Sequence, residues 1–370
     1  MKVEAVEVFE LRMPLRAGFR TSFGSVEHRE MVLVRLRAAG GLEGWGEAPV
    51  AARPHYNEET TVTARHVLRD FLAPAVVGRE VDDVPALLGA LRWVRGHRMA
   101  RAALETAFRD ALARAAGTSL AAALGATRER IAVGVSLGIP PGADVGALVA
   151  EVERRVAEGY GRVKVKIEPG FDRRPLEAVR ERFPDLPLAA DANAAYRLAD
   201  FPVFQDLDRL GLLFYEQPLH QDDLADHAQL GRAVRTPICL DESLKTPQDV
   251  ETALALESCR VVNLKPGRVG GLTASLAIRD LCRAQGVDLW CGGMLETGVG
   301  RAANVALAAL EGFTIPGDLS ASDRYWEEDI VEPPFRLLPG GELAVPQGPG
   351  IGVTVVEERL RKVTEAKEVF

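Results

Sequence analysis

The chain has 370 residues, 47% of them apolar, and a formal net charge of −8 at pH 7. This is the composition of an ordinary globular protein, and its acidic balance excludes the basic footprint that nucleic-acid binding requires. No secretory leader pattern and no apolar run long enough to cross a bilayer is present, so we expect a cytoplasmic protein with neither nucleic-acid nor membrane partners.

The first 125 residues predict an α+β domain, because strand-like alternation is followed by helical patterns. Asn57 is the expected N-cap of the first helix, and Gly117 is the expected end of the third. The predicted strands lie at 3–12 and 30–38 with a third element near Gly44, and the predicted helices lie at 57–76, 84–95 and 98–116.

The link between the first two strands, PLRAGFRTSFGSVEH, is long for a hairpin. Long connections in compact domains are often lids or binding loops. Phe19 and Phe23 in this link could cover an apolar ligand. The alternative is a flexible polar loop tip with no role in binding.

The central part of the chain, residues 126–325, contains a regular repeat. Five short apolar segments each end in a charged residue, and the separations of these residues are 25, 25, 25 and 24. One strand, one helix and two loops fit this spacing, so we predict an α/β fold of parallel βαβ units, a (β/α)7β TIM-like barrel capped by the N-terminal domain. The five charged strand ends are Lys166, Asp191, Glu216, Asp241 and Lys265.

The remaining barrel strands are less regular. The first strand is expected to end near Ser136, and strands seven and eight are expected over 286–294 and 312–320. Residues 326–370 contain Gly-rich turns and a charged helical tail. We expect this C-terminal segment to pack back on the capping domain.

The repeat also predicts the geometry of the barrel mouth. Lys166 and Lys265 end strands two and six, which lie about 180° apart in an eight-stranded barrel. Because side chains alternate along a strand, Lys164 and Lys166 both point inward. The three carboxylates lie on the strands between the two lysines, as an acidic cluster on one side of the mouth.

Three carboxylates at consecutive strand ends, without a His or Cys, favour a hard divalent cation. Mg²⁺ is the expected ion, with Mn²⁺ or another divalent cation possible, and Zn²⁺ is disfavoured. The register favours Asp241 as the third ligand over its neighbour Glu242, which would support the site or bind weakly. The alternative is an ion-pair network between the carboxylates and the lysines.

Lysine is rare in this chain, since only seven of the 45 basic residues are lysine and three of them lie on strands two and six. Lysine can be tuned toward neutrality, whereas arginine cannot lose its proton. We therefore interpret Lys166 and Lys265 as acid/base groups flanking a carboxylate substrate. A metal-held carboxylate would stabilise the enediolate formed when the α-proton leaves, and nearby cations would lower the lysine pKa. The alternative is that the lysines only neutralise the carboxylates.

The four cysteines show no paired spacing and fall in predicted barrel elements, so we expect reduced core residues.

The motifs KVK, DAN, EQP, DES and NLKPGRVGG together resemble the muconate-lactonizing-enzyme subgroup of the enolase superfamily. The resemblance covers nearly the whole chain. It implies Lys166 and Lys265 as the acid/base pair and Asp191, Glu216 and Asp241 as the metal ligands. The mandelate racemase type carries a His on strand seven, where this chain has none.

Within that subgroup, GFRTSFGS, ARPHYNEET, GHRMARAALE, WCGGMLETGVGRAAN and PGDLSASDRYWEEDI resemble the o-succinylbenzoate synthase / N-acylamino acid racemase family. Dipeptide epimerases carry Asp-x-Asp at the end of strand eight, whereas this chain has Asp318-Leu319-Ser320, so an acylated nitrogen is expected rather than a free amine. The resemblance implies Arg268 beside Lys265 and pocket contacts from Phe19, Phe23, Tyr56, Ser136, Asn193, Gly293 and Met294.

The resemblance implies two reactions at one site, dehydration to o-succinylbenzoate and racemisation of N-acylamino or N-succinylamino acids. It also implies a homo-oligomer, an octamer being one form. The alternatives are another enzyme of the subgroup, either a dipeptide epimerase or a cycloisomerase, or a barrel that binds without catalysis.

Overall fold

The computed structural model describes residues 1–21 and 24–370. Phe23, predicted to lie over the site, is outside the described residues. The strands, numbered in chain order, are β1 (Val3–Thr21), β2 (Gly24–Ala38), β3 (Leu42–Ala48), β4 (Arg130–Ala132), β5 (Val135–Leu137), β6 (Val163–Lys166), β7 (Leu188–Asp191), β8 (Tyr215–Glu216), β9 (Ile238–Leu240), β10 (Val261–Leu264), β11 (Asp288–Cys291), β12 (Val331–Glu332), β13 (Glu342–Ala344), β14 (Thr354–Val355) and β15 (Thr364–Val369).

The α-helices fill the connections between these strands and cover the N-terminal sheet. They are α1 (Thr61–Val67), α2 (Val84–Leu91), α3 (Arg98–Ala115), α4 (Leu120–Ala123), α5 (Val145–Glu158), α6 (Arg173–Arg182), α7 (Phe201–Leu207), α8 (Leu224–Ala233), α9 (Pro247–Ala255), α10 (Pro266–Val269), α11 (Leu272–Gln285), α12 (Gly298–Ala308) and α13 (Glu357–Val363). Within the described residues, no helix is long and apolar enough to cross a membrane.

The N-terminal domain is an antiparallel sheet in the order β15-β1-β2-β3, with α3 packed across it. The helix and β3 touch backbone to backbone, because a Cβ on Gly44 would lie 2.0 Å from the Ala107 carbonyl oxygen. A Cβ on Gly46 would lie equally close to the carbonyl oxygen of Ala103, at 2.0 Å. The GWG sequence of β3 is therefore a requirement of helix–sheet packing.

The predicted long loop between the first two strands is instead a β-arm, so the loop assignment was wrong. β1 and β2 stay paired through Phe19↔Val26 to Thr21↔Gly24, beyond an irregularity in register after Pro14. The arm also lies on the barrel, where the Ile139 amide donates to the Arg20 carbonyl at 3.1 Å. Pairing within the arm and contact with the barrel satisfy backbone groups that a loop would leave to water.

The central part is a curled sheet of seven parallel strands in the order β11-β10-β9-β8-β7-β6-β5. The segment predicted as strand eight contains no regular strand, although it occupies the eighth position. Its Gly317 carbonyl accepts from the Gly134 amide at 2.7 Å, and its Asp318 amide donates to Cys291 at 3.1 Å. Pro316 has no N–H for a ladder, which explains the irregular pairing. The predicted α/β barrel class is confirmed.

One further local prediction was wrong, and another holds only in part. The N-cap of α1 is Thr60, whose side chain accepts from the Thr63 amide, and Asn57 instead accepts from the Glu59 amide before the helix. The charged C-terminal tail is helical over α13, as predicted, but its last residues form β15, which adds to the free edge of β1. The division of the chain at residues 125 and 325 stays a prediction. The four cysteines are free and buried, as predicted.

Candidate active site

The charged strand ends lie side by side at one end of the parallel sheet. Lys166 pairs with Asp191 in the β6–β7 ladder, and Asp191 pairs with Glu216 in the β7–β8 ladder. Asp241 and Lys265 follow β9 and β10 directly. Residues about 25 positions apart in the sequence are therefore neighbours along this end of the sheet. Lys166 and Lys265 lie at the two ends of this row, four strands apart.

Lys166 is held by two oxygen acceptors. Its Nζ lies 2.6 Å from Asp191 Oδ2 and 2.8 Å from Asn193 Oδ1. Asn193 also donates from Nδ2 to Glu242 Oε1 at 3.0 Å. The DAN motif therefore fixes the direction of Lys166 through both its Asp and its Asn.

Lys265 sits at the other end of the row. Its Nζ lies 2.8 Å from Asp241 Oδ2 and 4.6 Å from the ring centre of Tyr56. Burial lowers the pKa of Lys265, but the charge of Asp241 outweighs it and raises that pKa above the ordinary value. The expectation of a lowered lysine pKa is therefore not met at Lys265 in this arrangement.

Arg268 lies beside Lys265, as the family resemblance implies. It pairs with Asp241 Oδ1 through Nη1, and it donates from Nε to the Leu244 carbonyl at 2.7 Å and from Nη2 to the Asn263 carbonyl at 2.5 Å. These three contacts leave the guanidinium buried and fixed.

Lys164 is the inner lysine of KVK and lies beneath the mouth. Its Nζ contacts Glu216 Oε2 at 2.5 Å, Asp318 Oδ2 at 2.8 Å and Asp191 Oδ2 at 3.0 Å. Burial lowers its pKa, whereas the three carboxylates raise it well above the ordinary lysine value. Lys164 is thus a fixed cation. It balances the negative charge of the acidic row, which consists of Asp191, Glu216 and Asp241.

The carboxylates of the row differ in their tendency to hold a proton. Burial and the negative charge of Asp191 raise the pKa of Glu216 to about 8. Burial also opposes ionisation of Asp191 and Asp241, yet the lysines beside them hold both pKa values below the ordinary range. Burial and Asp241 raise the pKa of Glu242 to about 7. Burial and the neighbouring aspartates therefore make Glu216 and Glu242 hold a proton more readily than Asp191 and Asp241.

Among the described residues, no group of three or more His, Cys, Asp or Glu side chains is arranged around a common point for a metal ion. The reason is visible in the contacts, because Lys164, Lys166 and Lys265 each occupy oxygens of the row. The ion-pair network considered as an alternative thus describes the present arrangement. Glu242 Oε2 is a buried oxygen without a hydrogen-bond partner in the described part of the chain.

Lys166 and Lys265 open into one cavity of about 690 Å³ between the N-terminal domain and the barrel. This volume suits a small organic ligand. The other predicted residues that line it are Phe19, Tyr56, Asn193, Gly293 and Met294. The predicted residues that do not line it are all buried, and they are Lys164, Ser136, Glu242, Arg268, Asp191, Glu216 and Asp241.

Sequence reasoning missed two inward residues that strand alternation could have found. Asn263 lies two residues before Lys265, and its Nδ2 donates to Glu216 Oε1 at 2.7 Å. Arg162 lies two residues before Lys164, is fully buried, and pairs with Asp318 at 2.5 Å. Both follow the period of two that placed the lysines.

A third missed residue, Arg29, joins the two walls of the cavity. Its guanidinium is buried and donates to the Pro49 carbonyl at 2.7 Å, to Val50 at 2.5 Å and to Met294 at 3.0 Å. No sequence pattern marks it, since these partners are main-chain carbonyls from distant segments.

Two family descriptions match the chain. "Enolase C-terminal domain-like" matches residues 147–359, and "Mandelate racemase / muconate lactonizing enzyme, N-terminal domain" matches residues 3–125.

Curated relatives are similar over the full length. The o-succinylbenzoate synthase of Bacillus subtilis (strain 168) is 44% identical over 370 residues, covering 100% of this chain and 99% of the relative. The N-succinylamino acid racemase of Amycolatopsis sp is 48% identical over 368 residues, covering 99% of both chains. A crystal structure of an enolase-superfamily member from Listeria innocua Clip11262 aligns with a TM-score of 0.96 at 42% identity, covering 100% of this chain and 99% of that one.

Proposed function

Because the chain belongs to the mandelate racemase / muconate lactonizing enzyme family of the enolase superfamily, we propose that it removes the proton α to a substrate carboxylate. Two reactions follow from this step. One is the loss of water that forms o-succinylbenzoate, on the way to menaquinone. The other is racemisation of N-succinylamino acids. Full-length relatives carry the names of both activities.

The observation that carries this proposal is the placement of two amines around one cavity. Lys166 and Lys265 line the same cavity from strands four places apart, and each is oriented by its own carboxylate. A substrate α-carbon between them presents one face to each amine. This is the arrangement that two-base proton transfer requires.

In racemisation, the neutral amine of one lysine takes the α-proton, and the ammonium of the other returns a proton to the opposite face. In the synthase reaction, Lys166 takes the α-proton and hydroxide leaves the β-carbon, so that water is lost and a double bond forms. Lys265 then acts chiefly as a cation beside the enediolate. Asn193 keeps Lys166 aimed at the α-carbon in both reactions.

We propose that Asp191, Glu216 and Asp241 hold a divalent cation, Mg²⁺ being the expected ion. The donor chemistry fits, since all three are carboxylates on neighbouring strand ends and the pKa of Glu216 is raised by burial and Asp191. When bound, the cation supplies positive charge to the substrate carboxylate and so makes the α-proton more acidic. Glu242, whose buried Oε2 has no hydrogen-bond partner among the residues that the structure describes, supports this cluster.

The end of the eighth barrel segment favours an acylated nitrogen over a free amine. The Asp318 carboxylate is bound by Arg162 at 2.5 Å and by Lys164 at 2.8 Å, and it does not line the cavity. A carboxylate that is already neutralised by two cations would bind the ammonium group of a substrate only weakly. The dipeptide epimerase alternative is disfavoured for this reason.

The deciding experiment measures kcat/KM for both reactions with one enzyme preparation. The substrates are the β-hydroxy acid that loses water to give o-succinylbenzoate and a set of N-succinyl-L-amino acids. Turnover of either class supports the proposal, and the ratio of the two values ranks the activities. Absence of both reactions with added Mg²⁺ and Mn²⁺ would reject it.

We further propose a cytoplasmic homo-oligomer, as the family resemblance implies. Light scattering coupled to gel filtration measures the assembly state directly. A monomer at micromolar concentration would reject the proposed oligomer.

A further inference from the structure

We propose that Arg53, at the mouth of the cavity, binds a second carboxylate of the substrate that is remote from the reacting α-carbon. The inference rests on the proposed function, because it assigns a specificity contact to the same site. Arg53 is neither one of the lysines of the site nor a member of the acidic row.

Arg53 reaches the cavity from the segment that crosses from β3 to α1. Its side chain lines the same cavity as Lys166 and Lys265, and it is exposed at the opening. The lysines mark the end of the cavity that receives the α-carbon. Arg53 belongs to the N-terminal domain, and we infer that groups attached to that carbon extend toward this wall of the cavity.

The segment that carries Arg53 is held at both ends. Arg29 donates to the carbonyls of Pro49 and Val50, and a parallel bridge joins Ala51 to Thr60. Glu59 then accepts from the first amides of α3, at 2.9 Å and 3.2 Å. A segment fixed in this way presents its arginine to the cavity with a reduced entropic cost of ordering.

The guanidinium of Arg53 has no ion-pair or side-chain hydrogen-bond partner among residues 1–21 and 24–370. The other two cavity arginines are engaged, since Arg29 donates to carbonyls and Arg12 lies 3.9 Å from Glu30. Burial, Arg29 and Arg53 together lower the pKa of the neighbouring His55. Arg29 and Arg53 thus place positive charge close to His55 at the mouth of the cavity.

A free guanidinium beside a cavity favours a carboxylate, because its planar fork can donate two parallel hydrogen bonds. The α-carboxylate of the substrate belongs at the lysine end. The ligand of Arg53 is therefore a second carboxylate, carried either by an N-succinyl group or by an acidic side chain. An N-acetyl group or an apolar side chain cannot make this contact.

The test compares three substrates, N-acetyl-L-valine, N-succinyl-L-valine and N-acetyl-L-glutamate, with wild type, Arg53→Gln and Arg53→Lys. We expect Arg53→Gln to lower kcat/KM about tenfold for a substrate with the second carboxylate and to leave N-acetyl-L-valine within about twofold. Arg53→Lys keeps the charge and should restore part of the loss. Arg92→Gln, an exposed arginine of the same domain that does not line the cavity, is the matched control.

A loss confined to N-succinyl-L-valine assigns the acyl carboxylate, and a loss confined to N-acetyl-L-glutamate assigns the side-chain carboxylate. Equal effects on all three substrates, or none, overturn the assignment of Arg53. Failure of wild type to act on any of the three substrates and to form o-succinylbenzoate rejects the proposed function itself, so the two failures are distinguishable. Rising salt should weaken the preference for the second carboxylate in wild type and leave Arg53→Gln unchanged.

Discussion

The phenol of Tyr56 donates a hydrogen bond of 2.8 Å to Asp241 Oδ1, joining the segment after β3 to the end of β9. The same oxygen of Tyr56 lies 3.3 Å from Lys265 Nζ and 3.2 Å from Arg268 Nη1. The N-terminal domain therefore touches the second lysine and its carboxylate directly. Tyr56 thus links the position of the N-terminal domain to the orientation of Lys265.

Tyr56→Phe should lower kcat about tenfold, because it removes a hydrogen bond to a charged group that positions Lys265. The free energy of unfolding should fall by only about 1 kcal/mol. Tyr196→Phe is the control, since Tyr196 donates to Asp172 at 2.9 Å and does not line the cavity. An equal loss of kcat in both variants, measured by steady-state racemisation, would contradict a specific role for Tyr56.

Gly292 makes room for the second lysine. A Cβ at this position would lie 2.7 Å from Lys265 Cε and 2.2 Å from Asn263 Oδ1. Gly292→Ala should displace Lys265 and lower kcat/KM by about 100-fold, since small misplacements of a reacting group are costly. Gly89→Ala, in α2 with no atom of the described residues within 4 Å of its added Cβ, should keep wild-type activity and gain stability by about 0.5 kcal/mol. Wild-type activity of Gly292→Ala would refute the packing argument.

The strand-end residues could be predicted because their spacing is a property of the repeat itself. The chain returns to the same end of the sheet every 25 residues. Asp191 and Glu216 could therefore be predicted as neighbours without any knowledge of contacts, and they are neighbours in the structure. The contacts of Arg29 and Tyr56 could not be predicted from the spacing of the repeat. Their partners, Met294 and Asp241, are brought close only by the docking of the N-terminal domain on the barrel.

The β-arm escaped prediction for a related reason. Gly18 and Gly24 weaken the alternating pattern, so the pairing of Phe19 with Val26 is not visible in local sequence. Contact of Arg20 with Ile139 on the barrel supports the arm. Contact with the barrel thus outweighs the low strand preference of the local sequence in the arm.

A divalent cation should stabilise the folded chain as well as activate it. EDTA should abolish activity, and Mg²⁺ or Mn²⁺ should restore it. At 100 times its Kd, bound Mg²⁺ adds about 2.7 kcal/mol to the free energy of unfolding, which calorimetry reads as a higher Tm. Glu216→Gln should lose both the activity and the Tm shift.

The control for the metal experiment is Glu251→Gln, at an exposed site on α9. This variant should retain both the metal-dependent activity and the rise in Tm on metal binding. Full activity after exhaustive dialysis against chelator, or a Tm shift that survives in Glu216→Gln, would contradict metal binding by the acidic row.

His227 should make stability depend on pH. It is fully buried, its Nδ1–H donates to the Asp223 carbonyl at 2.5 Å, and its Nε2 accepts from the Leu219 amide at 3.2 Å. Burial lowers its pKa to about 4 although Asp223 opposes this. The unfolded chain therefore binds more protons between pH 6.5 and pH 4, and stability is lost as pH falls through that window.

Urea unfolding of wild type and His227→Gln at pH 7.5 and pH 5 measures this effect. The wild type should lose about 2 kcal/mol more than the variant over that interval. The comparison cancels the contributions of other titrating groups. Equal losses in the two proteins would show that His227 titrates normally in the fold.

The account as a whole depends on two lysines acting on opposite faces of one α-carbon. Lys166→Arg and Lys265→Arg should each abolish net racemisation of an N-succinylamino acid, because return of the proton on the opposite face needs both amines. Lys245→Arg, outside the cavity, should keep wild-type activity.

The most direct measurement is α-proton exchange in D₂O, followed by NMR for each variant with each enantiomer. We predict that each variant retains exchange with the enantiomer served by its surviving lysine, so that the two variants show complementary losses. Identical loss of exchange from both enantiomers in both variants would leave the two-base account without support, and undiminished racemisation by either variant would contradict it.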